Sequence, residues 1–447
     1  MTTTKQALDF EMNEALPKIV VVGGGAGGLN LVTRLSRSLG RKGKADVTLV
    51  DENLSHIWKP SLHEFSAGTK GPDEEISFLE HSNRNGYKFR LGRFAGINYQ
   101  DRQVMLDPVL NEQNIELSPA RALLYDVLVL AIGSRSNDFG TPGVSEHCLF
   151  LDTPTEAKRL QSEILNLCLR METGALHVGD EKVRIAIVGG GATGVELAAE
   201  LREATEQLGR NGIDLLQIPE SVGITVIEAA DRLVAALPKA LSQNVLHELN
   251  SLNIDVRLNT RVASVSDKSI KLADGEDLKA EIIVWAAGIL SNKALATAVD
   301  LEIGSLGRLK VRPTLQATNQ DHIFVMGDAA DCEWAEKGQP LPPRAQVAFQ
   351  QAEFLNTQIQ NVLSNRPLKD FTYKDHGSLV ALSSSTAIGS LMGRALGTFT
   401  IKGWLARRAY KYLHYQHEAA VQGHARALIR TVLSVAMRRV RPQLKLH

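Results

Sequence analysis

Cysteine is scarce in this chain: three in 447 residues, Cys148, Cys168 and Cys332, no two of them close in sequence. That spacing excludes a Cys-x-x-Cys redox pair and a cysteine-based zinc site, and free thiols in a reducing cytosol are the plain reading. The histidines show no ligand spacing, so no metal is expected. No apolar run reaches the ~18 residues that a bilayer-crossing helix needs, which excludes a proton-pumping membrane machine. Met1 to Leu16 carries Asp9, Glu11 and Glu14 without an apolar core and does not read as a signal peptide. Net charge is absent as well, with 50 basic against 50 acidic residues, but the balance is uneven along the chain. From Lys402 to His447 there are ten Lys or Arg and a single acid, Glu418, so the remainder is acidic by nine. A basic tail points to an anionic surface as partner; nucleic acid is the other reading, and no nucleic-acid motif accompanies it.

Apolar residues make up 44% of the chain and charged ones 22%, an ordinary composition for a packed core. The length suits two or three domains at roughly 150 residues each. Two glycine-rich turns of one design punctuate it 166 residues apart. Gly23-Gly-Gly25-Ala-Gly27-Gly28 follows the apolar strand 18–22, and Gly189-Gly-Gly191-Ala-Thr193-Gly194 follows the strand 183–188. Both read G-x-G-x-x-G, in which the first Gly makes the tight turn and the second lets the backbone approach a pyrophosphate. The third brings the helix close to the strand, with its N-terminus facing the phosphates. One such turn is a weak signal; two predict two dinucleotides and electron transfer between them.

Each turn opens a similar unit. In the first, a helix from about 26 to 40 leads to the strand 47–50, which ends at Asp51, 23 residues past Gly28, the offset at which an acid binds a ribose hydroxyl. In the second, a helix from about 193 leads to the strand 223–227, ending at Glu228, with an insertion near 208–221 lengthening the gap. Distant apolar strands at 125–131 and 281–287 run into Gly133 and Gly288. A further strand, 321–326, ends in Gly327-Asp328, which places an acid at the sheet's carboxyl edge, and it is expected to complete the first unit. The fold class is therefore α/β, with two Rossmann-like domains, the second inserted in the first, plus a C-terminal membrane-surface helical region. Its expected divisions are 17–150, 151–300, 301–400 and 401–447.

A helix is expected over 345–362 and β structure over 371–400. In the helical tail 402–442, Leu428, Val432 and Val435 share a face opposite Arg426 and Arg430, with Trp404, Tyr410, Tyr412 and Tyr415 upstream. Basic residues opposite an apolar face, with aromatics at the edge, read as a helix lying in a membrane surface; an amphipathic helix packed on its own protein is the alternative.

These features resemble the two-dinucleotide flavoprotein oxidoreductases and, at finer grain, the type II NADH dehydrogenases, single-chain NADH:quinone oxidoreductases that do not pump protons. The resemblance spans nearly the whole chain. It rests on SHIWKP from Ser55 to Pro60, GGGATGVELAAEL from Gly189 to Leu201, VWAAG from Val284 to Gly288, and Gly327-Asp328. PRAQVAFQ from Pro343 to Gln350 matches the family's AQxAxQ quinone signature, while 373–380 and the ending 441–447 resemble the bacterial, membrane-bound branch.

The resemblance implies FAD on Gly23, Gly25, Gly27, Gly28 and Asp51, with Gly327, Asp328 and Lys59 near the flavin, although Lys59 also reads as a solvated lysine. It implies NADH on Gly189, Gly191, Thr193, Gly194, Glu228 and Gly288, a carboxylate at 228 disfavouring the 2′-phosphate of NADPH. Arg232 stands close enough to soften that preference. Glu196, one turn into the second helix, is implied as a proton relay or nicotinamide orienter; the alternative is an acid that favours a helix's first turn. Ala345, Gln346 and Gln350 are implied to seat the quinone, the two amides sharing one helical face. Ubiquinone and menaquinone types both fit, the resemblance allows a homodimer, and it implies a peripheral position on the cytoplasmic face of the cell membrane. A sulfide:quinone oxidoreductase shares the architecture but needs a cysteine pair; Cys148 and Cys332 could in principle meet, but Glu228 and the intact second glycine turn argue against it. An NADH-sensing flavoprotein module is a further reading, against which the quinone signature stands.

Overall fold

The computed structural model describes residues 15–438, apart from 72–73, 112, 177–181, 211–220, 292–294, 296–299, 383–386 and 394–396. The expected acidic N-terminus, most of the 208–221 insertion and the ending 441–447 lie outside the described residues.

Two parallel sheets carry the chain. The first unit supplies β1 (Lys18–Val22), α1 (Ala26–Ser38), β2 (Asp46–Asp51), the short α2 (Leu62–Ser66), β3 (Lys88–Leu91) and β4 (Val127–Leu130). The second supplies β5 (Val183–Val188), α3 (Ala192–Arg210), β6 (Val222–Ile227), β7 (Ile254–Arg257) and β8 (Ile282–Trp285). The strand β9 (Ile323–Val325) then returns to the first sheet, pairing in parallel with β4. The strand orders are β9-β4-β1-β2-β3 and β7-β6-β5-β8, so the second unit is an insertion in the first, as expected. The central strands read as unbroken aliphatic runs because helices cover both faces; Ile19, Val21, Leu128 and Val129 are fully buried.

After β9 the chain forms α4 (Ala345–Leu363), which packs along α1, and an antiparallel sheet of β10 (Gly377–Ala381), β11 (Ala387–Gly393) and β12 (Gly397–Lys402). Val380, Leu382 and Ile388 of that sheet, with Leu62 and Phe65 of α2, pack into the second unit's core. The core therefore does not follow a division at 301–400. The tail is two helices, α5 (Trp404–Gln422) and α6 (His424–Arg438), broken at Gly423, whose φ of +90° ends the first.

Candidate functional site

The two glycine turns are built alike atom for atom. Gly23 N–H donates to Val50 O and Gly189 N–H to Ile227 O, each at 2.8 Å. Gly24 N–H donates to Asp51 Oδ2, and Gly190 N–H to Glu228 Oε2, each at 2.6 Å. The second carboxylate oxygen accepts from the backbone two residues on, Asn53 N at 2.8 Å and Ala230 N at 2.7 Å. A Cβ on Gly28 would lie 1.9 Å from Gly23 O, and one on Gly194 2.0 Å from Gly189 O. At Gly25 and Gly191 a Cβ would meet nothing within 4 Å. Packing thus requires the third glycine, whereas the middle one borders open space at a helix N-terminus, where a pyrophosphate fits. Burial pushes the Asp51 carboxyl up, against the opposing bonds from Gly24 and Asn53.

The first turn is roofed. Gly27 is buried, and a Cβ there would come within 2.7 Å of Met326 and 3.0 Å of Ala348 on α4. Thr193, its counterpart, is exposed together with Gly191 and Ala192. Near the roof, Ser134 Oγ donates to Asp328 Oδ2 at 2.7 Å, while Lys59 Nζ donates to Ser134 O at 2.9 Å and meets Asp152 Oδ1 at 3.0 Å. Ser134 thus joins Lys59 and Asp328, so Lys59 is not simply solvated. Gln351, which the sequence reading passed over, is buried on α4; its Oε1 accepts Gly327 N–H at 2.7 Å, and its Nε2 has no partner. An orphaned buried donor beside the Gly327-Asp328 turn suits a group that is not protein. The available signal was a third Gln in the quinone motif's own helix.

Gln346 and Gln350 share a face of α4, but their amides are committed to the chain. Gln346 Nε2 donates to Gly377 O at 3.0 Å and Asp375 Oδ1 at 3.2 Å, and Gln350 Nε2 donates to Lys374 O at 2.8 Å while its Oε1 accepts Lys374 N–H at 3.0 Å. Both amides bond to the segment 374–377 and pin it, and Arg344 reinforces this at 3.5 Å from Asp375. Ala345 stands at the start of that helix, half-buried.

Glu196 is buried where the two units and the tail meet. Its Oε1 accepts Ala381 N–H at 2.9 Å, and its Oε2 lies 3.6 Å from His63 Nδ1. Burial lifts its pKa to about 8 and lowers that of His63 to about 4. Its carboxyl is thus buried rather than at a solvated helix end. One turn further on, Glu200 is also buried, its Oε1 in hydrogen-bond contact with Thr69 Oγ1; burial raises its pKa to about 7. Next to them Glu64 binds Lys70 at 2.8 Å and Arg407 of α5 at 3.3 Å. Burial alone would lift the Glu64 carboxyl, but Lys70 and its other neighbours hold it well below the usual range, and Lys70 is held up in turn.

The tail is docked on the first unit. His417 Nε2–H donates to His56 Nε2 at 3.0 Å, and His56 Nδ1–H donates to Gly24 O at 2.9 Å. Arg37 of α1 donates to Val421 O at 3.1 Å. Tyr410 is buried and donates to Pro60 O, so it is not an interfacial aromatic as expected. Trp404 and Tyr412 are exposed, as are Leu405, Leu428, Ile429 and Val432. Arg430 lies 3.8 Å from Glu418, which is buried, while Arg426 is exposed; the Val435 side chain lies outside the described residues.

Gly288 has φ +61°, and the Phe139 ring lies over it, 2.4 Å from where a Cβ would stand. Arg232 donates to Ala235 O at 3.0 Å, next to Glu228 in sequence but turned to its own loop. Cys148, Cys168 and Cys332 are free and buried. Burial pushes the Cys332 thiol to about 12, which removes a thiolate role. Cys332 lies in the first unit's core and Cys148 in the second's, so the pair a sulfide chemistry needs is not formed.

A family model described as pyridine nucleotide-disulphide oxidoreductase matches residues 17–352. The type II NADH:quinone oxidoreductase of Haemophilus influenzae is 40% identical over 97% of this chain and 100% of its own length. Among solved structures, NDH2 from Plasmodium falciparum in complex with NADH superposes with a TM-score of 0.77 at 20% identity, covering 93% of this chain and 98% of that one. The sulfide:quinone oxidoreductase of Aquifex aeolicus superposes at 0.70 with 18% identity, covering 94% and 95%, a likeness of fold alone.

Proposed function

The chain belongs to the type II NADH:quinone oxidoreductases, within the pyridine nucleotide-disulphide oxidoreductases, and on that premise we propose that it is an FAD enzyme carrying electrons from NADH to a quinone at a lipid surface, without proton pumping. The observation that carries this is the pair of equivalent turns, each with an acid locked to the backbone N–H of the glycine after its first, Gly24 or Gly190. FAD held there would supply the redox chemistry, a hydride acceptor for NADH and a two-electron donor for the quinone. Gly23, Gly25, Gly27, Gly28 and Asp51 hold its pyrophosphate and adenosine ribose. Gly327, Asp328 and Lys59 flank it with Gln351, whose free amide donates. Gly189, Gly191, Thr193, Gly194 and Glu228 hold NADH, and Gly288, with Phe139 over it, lines the approach.

Glu196 supplies a proton toward the quinone, its raised pKa suiting a donor near neutral pH. Gln346 and Gln350 shape the quinone seat by fixing 374–377, with Ala345 leaving room beside them. The exposed apolar side chains of α5 and α6, flanked by Arg408 and Arg426, rest on the cytoplasmic face of the membrane. No helix among the described residues is long and apolar enough to cross it. The divisions 17–150, 151–300, 301–400 and 401–447 serve as FAD, NADH, FAD with quinone helix, and anchor regions, with Val380, Leu382 and Ile388 of the third also packing on the NADH unit, and a homodimer is compatible with them.

Anaerobic stopped-flow absorbance tests the reading. NADH alone is expected to bleach the flavin, a soluble ubiquinone analogue to restore it, and NADPH and sulfide to be poor donors. Bleaching by sulfide, or no reoxidation by quinone, would sink it. Co-sedimentation with anionic vesicles, weakened by salt, tests the anchor.

A further inference from the structure

Resting on that reading, the reaction has a proton deficit. NADH gives up a hydride, two electrons and one proton, as its nicotinamide C–H bond breaks. The quinol keeps both electrons and gains two O–H bonds, so each turnover takes one proton from water. Glu196 stands at the inner end of that need but is buried on all sides, and something must recharge it.

The ion cluster beside it is a poor candidate. Glu64 is held ionised between Lys70 and Arg407, and Lys70 is held charged by Glu64 and Glu74, so neither exchanges protons readily. The other neighbour differs. Glu200 sits four residues along α3, on the same helical face as Glu196. Its oxygen meets the hydroxyl of Thr69, a residue only half-buried. That hydroxyl also lies 3.0 Å from Glu64 O, a carbonyl that can only accept. Thr69 has one proton to give, so both bonds form together only when Glu200 carries the proton and donates it to Thr69. When Glu200 is ionised, the hydroxyl turns to it instead. The pair is a two-position switch at the edge of the protein.

We propose that Thr69 and Glu200 form the proton-uptake route of this enzyme, taking protons from solvent and passing them along α3 to Glu196. Glu200 acts through Glu196 and touches neither substrate nor cofactor. The groups that face the two carboxyls are Glu64, His63 and Thr69 from α2 and its loop, Arg407 and Tyr410 from α5, Ala381 N–H from β10 and Glu203 from α3 itself. Arg407 holds both carboxyls lower than burial alone would, keeping them in the range where a relay loads and unloads at neutral pH. Burial raises both carboxyls, so each can carry a proton near neutral pH.

The test uses the full-length, FAD-loaded protein. The NADH-reduced enzyme is mixed with a soluble ubiquinone analogue in weak buffer with a pH-indicator dye, so that flavin reoxidation and proton uptake are read separately. In Glu200→Gln, bleaching by NADH should stay within about twofold, while reoxidation and proton uptake slow together by on the order of a hundredfold. Glu200→Asp should recover part of the loss, and Thr69→Val should slow both where Thr69→Ser does not. The inflection near pH 7 in the reoxidation rate should vanish in Glu200→Gln. Independently of turnover, infrared titration of the oxidised protein should show two protonated-carboxyl bands, one lost in Glu200→Gln and the other in Glu196→Gln. Wild-type rates and pH profile in Glu200→Gln would overturn the route alone. A wild-type flavin that quinone does not reoxidise would overturn the parent reading and the route with it.

Discussion

The two glycine turns differ less in themselves than in what lies above them. Strand, turn, helix and acid repeat to within a tenth of an ångström in their key bonds. Yet Gly27 is pressed under Met326 and Ala348, while Thr193 at the matching position faces water. The same cradle therefore becomes a closed seat in one unit and an open one in the other. A closed seat suits a group that stays through every turnover, and an open one suits a substrate that must leave. The single residue change, Gly to Thr, records which neighbour each turn has: α4 leaves no room for a side chain at 27, and nothing takes that room at 193.

The sharpest way to break this comparison is to fill the third glycine of each turn. Gly28→Ala and Gly194→Ala create the same clash with a carbonyl oxygen, but the outcomes should diverge. Gly28→Ala should purify without flavin, whereas Gly194→Ala should stay yellow and lose bleaching by NADH. Absorbance at the flavin bands and NADH titration check both; equal flavin loss in the two would end the assignment of one dinucleotide to each turn.

The next effect separates the turns from the junction between them. Above pH 6.5 the carboxyls of Glu196 and Glu200 are held protonated to about 8 and 7, while the unfolded chain has already released those protons. The folded state binds more protons there, so stability falls as pH rises from 6.5 to 8, by roughly 2 to 3 kcal/mol. Below 6.5 the sign reverses for the buried rings of His56, His63 and His81, each lowered to about 4, since the unfolded chain binds protons that they refuse. Thermal unfolding across pH should show the alkaline loss in the wild type and not in the Glu196→Gln, Glu200→Gln double variant. An unchanged slope would mean that neither carboxyl is neutral in the fold.

Smaller effects probe the acids and the roof. Glu228→Gln should raise the KM for NADH by about thirtyfold, near 2 kcal/mol, and narrow the preference over NADPH, with flavin content untouched. Steady-state kinetics with both donors decide it, and an unchanged preference would assign Glu228 to the turn alone. Gln351→Leu should weaken flavin retention about fivefold with NADH affinity unchanged, which flavin release on dilution measures.

Much of this was legible because its signals are local. A strand, a glycine turn and an acid at the next strand's end lie within some forty residues, and the return of 323–325 to the first sheet follows from an acid placed after an apolar run. The junction was not legible, because it joins residues that no window spans. Thr69 meets Glu200 across 131 positions, and His56 meets His417 across 361. The bonds of Gln346 and Gln350 were not legible from their motif, since the segment that takes up their amides lies some 25 to 30 residues on. The tail's helical character was readable and its break was not, because Gly423 is one glycine among many until α5 is seen docked against α1.

The insertion of one unit in the other also sets an order of birth. A ribosome that has just released β8 has made every strand of the second sheet, while the first sheet still waits for β9. The sheet whose turn comes second in the chain can close first, although its core still waits for Val380, Leu382 and Ile388, and the sheet that begins the protein is completed later. The closed seat therefore gains its edge strand and its roof only after residue 325 and then 363 have emerged. Until that moment the first turn has no means of keeping what it is built to hold.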